Sequence, residues 1–516
     1  MIPALLSVII AFSIMATAIV EVTLTNFSVV GNITKSQQAF NIAEAGLNYY
    51  MWHLNHNATD YKDGQSTPTT PNPQLGYGPY THNYIDNNGV NEGTYTLWIN
   101  PAGAGSTIVT VRSIGQAAGT NITRTVQAQI GSPSFASYAV ASDSALWFGN
   151  TETADGPVDS NQGVRMDGPN DSTVSSANAT YAPSYQLGGD GSSHPGVWCS
   201  ATVITPVNCN TRSKSAWTYP VPQIDFNQVS TAQCTMKKVA FAANSATASL
   251  ATQSNACTQT PSTRTSSYLP ERSTSYSLTR GYLILLNSDG TYNLYNVNAE
   301  NDQLTPYTSA LTTQLVATNV TIPSSGVIFA EDNVWVLSNP TYHGRVTISA
   351  GRLASSNSST YANIVIAGPL LYSTKNGSDT IGLVAQNSVI LAPYAPPASG
   401  SFNFEVDGAL LAENGEVWYP GTYRTNSNSC TRGWTNSNQQ FLFYGSVATR
   451  QTWTWTWLDG SQACGNAAYD PVNGYISGIE NNTTQYDYNL EYAPPPSYPL
   501  TSGYNILSWR EVLTHP

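Results

Sequence analysis

The chain begins apolar on every side, turns amphipathic, and then alternates. MIPALLSVIIAFSIMATAIV, Met1 to Val20, contains no charged residue, and a helix of that length, at about 1.5 Å per residue, crosses the roughly 30 Å core of a bilayer. Glu21 closes the run. No Gly-Pro break follows, and Gly31 is the one weak helix position, at about 1 kcal/mol relative to alanine. Phe40, Ala43, Leu47, Tyr50, Met51 and Leu54 then recur at three- and four-residue spacing, the stripe of an amphipathic helix. The pattern predicts one helix over residues 1–55. Its first half fits lipid or a bundle of like helices, and its second half fits only against a globular head.

Residues 56–80 hold clustered Pro, Gly, Asn and Thr and read as a loop. GTYTLWIN, STIVTVRSIG and NITRTVQAQI follow, each alternating apolar and polar residues between Gly-rich turns, which predicts an antiparallel meander. Packed on the helix stripe, it makes a small αβ head over residues 56–135. Residues 136–485 change texture, to short strands broken by Gly and Asn, as in GVIFAEDNVWVL, NIVIAG and IGLVAQNSVILAP. The pairs Val346/Ile348 and Ile364/Ile366 and the strand at Gly382 to Val384 recur about twenty residues apart. Such a period predicts a β-solenoid-like parallel β-helix, with an irregular two-sheet β-sandwich as the other reading. Within it, residues 180–280 are rich in Ser, Thr, Ala and Pro and read as an insertion with little apolar material for a core. GYLILLNSDGTYNLYNV reads as a hairpin, and residues 486–516, with Pro494–Pro496, as extended chain lying over the surface. The fold class expected is α+β, mainly β.

Composition adds the compartment. Only 10% of residues are charged while Ser, Thr, Asn, Gly and Tyr abound, a texture of β-rich extracellular proteins. The net charge of −12 argues against nucleic acid or anionic lipid as a bulk electrostatic partner. Cys199, Cys209, Cys234, Cys257, Cys430 and Cys464 all follow the apolar run. Six cysteines allow fifteen pairings; sequential pairing is the expectation, because it closes three short loops. No C-x-x-C spacing points to zinc, and disulfides imply an oxidising compartment.

Chemistry is sparse. No H-E-x-x-H, G-x-S-x-G or phosphate-cradling loop occurs. His53 and His56 lie one helical turn apart without a third ligand nearby in sequence. Asp155, Asp159, Asp167 and Asp171 cluster in one Gly-rich segment, and Glu331 adjoins Asp332; paired acids serve glycosidases, while Asp beside Gly also serves turns. No catalytic residue, metal or cofactor is assigned. Trp453, Trp455 and Trp457 in TWTWTWLDG fall on one face of a strand. They read as packing residues or, alternatively, as an adhesive aromatic face for a glycan.

The string AFNIAEAGLNYYMWHL, Ala39 to Leu54, resembles the N-terminal segment of type IV pilin-like proteins, specifically the PilX-like minor pilins with their A-F-x-x-A-E-A-G-L signature. The likeness is specific over about the first 55 residues and looser beyond. Leu5 stands where major pilins carry a glutamate, a departure similar to that of pilin-like proteins at filament tips. The resemblance implies a structural minor or tip subunit of a pilus-like filament, not an enzyme. Its partners would be other pilin subunits and the pilus assembly machinery, with a surface glycan or host-cell ligand beyond them. It would be anchored in the cytoplasmic membrane by one span and later displayed on a surface filament. The rival expectations are a membrane-anchored adhesin and, further off, a β-helix carbohydrate-active enzyme.

Overall fold

The computed structural model describes residues 2–512 apart from 58–59, 68, 103–105, 107, 151, 185–186, 203–206, 273–276, 302–306, 397–399, 421, 427–428, 433–437, 458–476, 480 and 502. It consists of two units, Met1–Ser132 with Gly503–Pro516, and Pro133–Ser502. The larger unit is therefore an insertion into the smaller.

In the first unit α1 runs unbroken from Ile2 to His56. Strands β1 (Tyr77–Ile85), β2 (Asn91–Asn100), β3 (Ile108–Ala117) and β4 (Thr123–Gly131) form an antiparallel meander. Alternation does its expected work: Tyr95, Leu97 and Ile99, then Val109 and Val111, then Val126, Ala128 and Ile130 are buried, and they pack with Ile42, Leu47, Tyr50 and Leu54 of α1. A fifth strand, Asn505–Val512, pairs antiparallel with β4, Asn505 opposite Gly131. Part of the C-terminal segment is thus built into the head sheet, which a surface-lying tail does not anticipate.

The second unit is a stack of parallel coils in which successive strands register residue for residue. Val140–Ser142, Val158–Ser160, Val174–Ser176 and Trp217–Thr218 stack in one direction. The chain then passes through helix α2 (Gln228–Ala242) to the far end. There Tyr268–Leu269 and Val327–Ala330 start a second series, continued by Arg345–Ala350, Thr380–Ala385, Phe402–Ala412 and Gln439–Thr449. Its last strand lies beside the first strand of the first series, Val447–Thr449 against Val140–Ser142. The solenoid is wound outward from its middle and closed there. In consequence the two chain ends of this unit meet: Thr501 donates its N–H to Pro133 O at 3.0 Å, and Phe135 to Pro499 O at 3.0 Å.

A second parallel sheet, Asn333–Asn339, Ile364–Ile366, Val389–Leu391, Val417–Trp418 and Trp453–Thr454, faces the same core. It is prolonged by Gly281–Asn287 and by the antiparallel strands Thr291–Glu300 and Leu311–Thr321. Parallel registration selects the solenoid over the sandwich. It also revises the repeat: Val346 and Ile348 stack on Ile381 and Leu383, whereas Ile364 and Ile366 stack on Val334 and Val336 in the other sheet. The interval of about twenty residues therefore mixes two faces of a coil.

Corners follow from side chains that satisfy the turning backbone. At one corner Asn363 donates its N–H to Asn333 Oδ1 at 2.8 Å, and Asn387 Nδ2 donates to Asn363 Oδ1 at 3.0 Å. At another, the hydroxyls of Ser142, Ser160 and Ser176 accept from the N–H two residues on, at Ser144, Gln162 and Asn178. Helix α2 covers the first sheet. Its Val229, Met236, Ala240 and Phe241 join Phe226, Tyr268 and Phe329 in an apolar cluster, more core than the Ser/Thr-rich composition of residues 180–280 foretells. The proline segment crosses the coils, with Arg345 Nη2 donating to Ala493 O at 2.9 Å and Pro494 O at 2.6 Å.

Candidate assembly helix and its seat

Every described residue of α1 from Ile2 to Thr34 is exposed, including Leu5, Ile9, Phe12, Ile19, Leu24, Phe27 and Ile33. An exposed apolar surface of that extent marks an interaction site, and the helix is long and apolar enough to cross a membrane. Its hydroxyls are already compatible with such surroundings. Ser7, Ser13, Thr17, Thr23, Thr25 and Thr34 each donate to a backbone carbonyl three or four residues earlier, at 2.7–3.0 Å, so none of these six is left to be desolvated unpaired.

From Ala39 onward the helix is seated. Ala39, Ile42, Ala43, Gly46, Leu47, Tyr50 and Leu54 are buried; Phe40 and Met51, on the flanks of the expected stripe, are half-buried against the same core. The small residues are what allow close approach. A Cβ on Gly46 would lie 2.3 Å from Ser113 Oγ, and one on Gly115 of β3 would lie 2.1 Å from Ala39 O and 2.4 Å from Ala43 N. The backbones of helix and strand therefore touch, and the Ala43–Gly46 part of the sequence signature is the part pressed on β3. Arg124 marks the place where the helix leaves the head: it pairs with Glu511, donates to Ser36 Oγ at 2.8 Å, and lies over the Phe40 ring. Phe40 also meets Trp509 edge-on at 5.8 Å, so the C-terminal strand helps to hold the exit.

At the other end of the seat two histidines find carboxylates. His53 Nε2 lies 3.1 Å from Asp60 Oδ2, and His82 Nε2 lies 2.5 Å from Asp63 Oδ2, while Tyr49 donates to Asp63 Oδ1 at 3.0 Å. Burial pushes the Asp60 carboxyl up, but hydrogen bonds from Lys62 N, Gly64 N and His53 outweigh it and leave the group below its ordinary value. His56 instead contacts Trp52 O at 2.8 Å through Nδ1. The two helix histidines thus do not converge, and no group of three metal-ligating side chains occurs among the described residues.

The other residues singled out from sequence fall as follows. Cys199–Cys209 and Cys234–Cys257 are disulfides, with Cα–Cα distances of 5.8 and 5.1 Å; the Cys430 side chain and Cys464 lie outside the described residues. Of the four clustered aspartates, only Asp155 and Asp171 come together, and burial and that contact raise the Asp155 carboxyl. Asp159 accepts from Ser175 Oγ at 2.5 Å. Asp167 pairs with the fully buried Arg165 at 2.6 Å and accepts from Trp147 Nε1 at 3.0 Å. Glu331 is buried against Lys237 beneath α2; burial raises the one and lowers the other. Asp332 is held up to about 6 by burial, against hydrogen bonds from Asn333 N and Arg272 N. Asp159, Asp167, Glu331 and Asp332 are thus buried internal ties, whereas Asp155 is half-buried and Asp171 exposed. Trp455 is 3% exposed and packs on Phe441 and Phe443, and Trp453 is half-buried against Phe148. A face of three open indoles is therefore not what this strand presents; the Trp457 side chain lies outside the described residues. Sequence reading passed over Gly115, Arg124 and Trp509, for which the separation between β3, β4 and the C-terminal strand left no local signal.

No family model and no curated protein matches this chain. Among solved structures it is similar to the competence-associated pilin ComZ from Thermus thermophilus, at 12% identity over 93% of this chain and 98% of that one, with a TM-score of 0.28. A superposition at that level carries no argument about fold or function.

Proposed function

We propose that this chain is a pilin-like structural subunit that assembles through α1 and displays its solenoid at the cell surface for attachment. The observation that carries the reading is the division of a single 55-residue helix into a fully exposed apolar half and a half pressed backbone to backbone on a sheet. Before assembly the first half spans the membrane; in a filament it exchanges lipid for the helices of other pilin subunits, with the assembly machinery effecting the transfer. The PilX-like minor-pilin assignment is supported by the sequence signature, whose Ala43 and Gly46 have a physical task in the seat. A minor or tip position is supported by the bulk of the Pro133–Ser502 unit, which is hard to repeat at every position of a tightly stacked lattice. Its role is assembly and display, without a chemical step.

Shearing cells, separating filaments from membranes and probing both fractions for the chain tests this directly. Recovery with sheared filaments, at low stoichiometry to the main subunit, is the expected outcome. Confinement to the membrane fraction overturns the filament reading in favour of an anchored surface protein.

A further inference from the structure

The corner after Gln439–Thr449, Val140–Ser142, Val158–Ser160 and Val174–Ser176 carries a groove that neither assembly nor folding explains. Those strands end in register at Thr449, Ser142, Ser160 and Ser176, so the residues two places on, Gln451, Ser144, Gln162 and Asn178, form a row along the solenoid axis. They line an open groove of about 720 Å³. With coils about 4.8 Å apart, four rungs span roughly 14 Å.

The chemistry of the row is neutral and outward-facing. Gln451 Nε2 donates to Asn414 O at 2.7 Å and Asn178 Nδ2 to Gln162 O at 3.0 Å, so each amide is clipped to the solenoid by its N–H while its carbonyl oxygen stays unengaged. The Gln162 amide and the hydroxyls of Ser144, Thr180 and Thr452 are likewise unengaged among the described residues lining the groove. The two charges at its base are already used. Asp143 accepts from Asn161 Nδ2 at 2.6 Å and from Arg450 Nη1 at 3.2 Å. Arg450 also donates through Nε to Glu413 O at 3.0 Å and through Nη2 to Asn227 Oδ1 at 3.1 Å. Neither an acidic nor a basic ligand finds a spare countercharge. One wall is apolar and fixed from behind: the buried Tyr181 ring rests on Gly163, where a Cβ would lie 2.2 Å from Tyr181 Cδ1, and its hydroxyl accepts from Trp198 Nε1 at 2.8 Å. Leu187 continues that wall.

We propose that this groove binds a neutral, extended oligosaccharide laid along the solenoid axis. Successive sugar rings present both donors and acceptors to the row of amides and hydroxyls, and their C–H faces to the half-buried Leu187. Rungs fixed before binding lower the ordering cost. The proposal names a ligand class for the displayed unit and so rests on the display reading, but it is tested on purified protein and stands or falls separately from filament fractionation.

The experiment is a screen of the full chain, held in a polyoxyethylene rather than a sugar-based detergent, against neutral and acidic oligosaccharides, followed by titration of the best binders. Neutral oligosaccharides of three or more units are expected to bind. Gln162→Ala with Asn178→Ala is expected to weaken them about tenfold or more, and Thr312→Ala with Thr313→Ala, on an exposed strand outside the groove, to leave binding unchanged. Gln162 is exposed and Asn178 half-buried, and circular dichroism checks that the variant is folded. The proposal is overturned if no neutral oligosaccharide binds, if acidic ones are preferred, or if the groove variant binds as tightly as the parent.

Discussion

Gly115→Ala is the sharpest probe of the helix seat. The added Cβ would stand 2.1 Å from Ala39 O, where ordinary contact begins near 3.4 Å; the difference, 3.4 minus 2.1, asks α1 to lift by about 1.3 Å. The atoms in the way are backbone, so no rotamer change relieves them. Overpacking of a well-packed site costs about 1–3 kcal/mol, and a rigid helix at that distance places this substitution near about 3 kcal/mol. For a head of this size, at roughly 4 °C per kcal/mol, its melting transition should fall by about 10 °C, while the solenoid transition stays in place. Scanning calorimetry of the full chain in detergent reads both, and amide exchange over Ala39–Leu54 reports whether the helix has lifted. Gly31→Ala is the control of opposite sign: nothing lies within 4 Å of that position, and the helix gains about 1 kcal/mol of propensity. A head transition displaced by less than about 3 °C in Gly115→Ala, with unchanged exchange, would refute backbone contact as the basis of the seat.

Two further outcomes follow from the topology and from the buried acids. Because Gly131 and Asn505 are cross-strand partners, excising residues 132–504 and joining the strands by Asn-Gly should leave a folded five-stranded head; loss of the amide-exchange protection of β4 in that variant would contradict the insertion architecture. Burial holds the carboxyls of Asp332 and Glu413 up to about 6 and about 7, so the folded solenoid binds protons that the unfolded chain has released above roughly pH 4.5. Their stabilising effect is complete below that pH and is lost as pH rises through 6 and 7. The solenoid should melt lower at pH 8 than at pH 5, and Glu413→Gln should shrink the difference by about 3 kcal/mol or less; a melting curve independent of pH refutes the assignment.

What sequence alone discloses here tracks how local the physical cause is. Helix α1 is legible because its pattern is set by residues three and four apart, and β2 to β4 because each has one wet and one dry face. The C-terminal strand escapes notice for the opposite reason: Asn505–Arg510 is exposed on both faces and offers no alternation. Strand β1 carries Pro79 and buries only Gly78 and Tyr80, too little for a pattern. Helix α2 hides in a Ser/Thr/Ala-rich stretch whose apolar residues are spread along the chain. The groove is beyond local reading altogether, since Arg450 and Asp143, which meet at its base, are 307 residues apart. Only the outward-and-back winding of the coils brings them together.

That winding also dictates an order of manufacture. Polypeptide emerges from the ribosome N-terminus first, so β4 and Val140–Ser142 are made early, each with one edge bare. The neighbour of the latter, Gln439–Thr449, and the neighbour of the former, Asn505–Val512, are made only after the intervening coils. Unpaired strand edges invite pairing with other chains, and this chain keeps two of them open until those later strands have been made. A product cut short of Gln439–Thr449 or of Asn505–Val512 is consequently distinguishable by those open edges alone, and each late strand closes the sheet that an early one began.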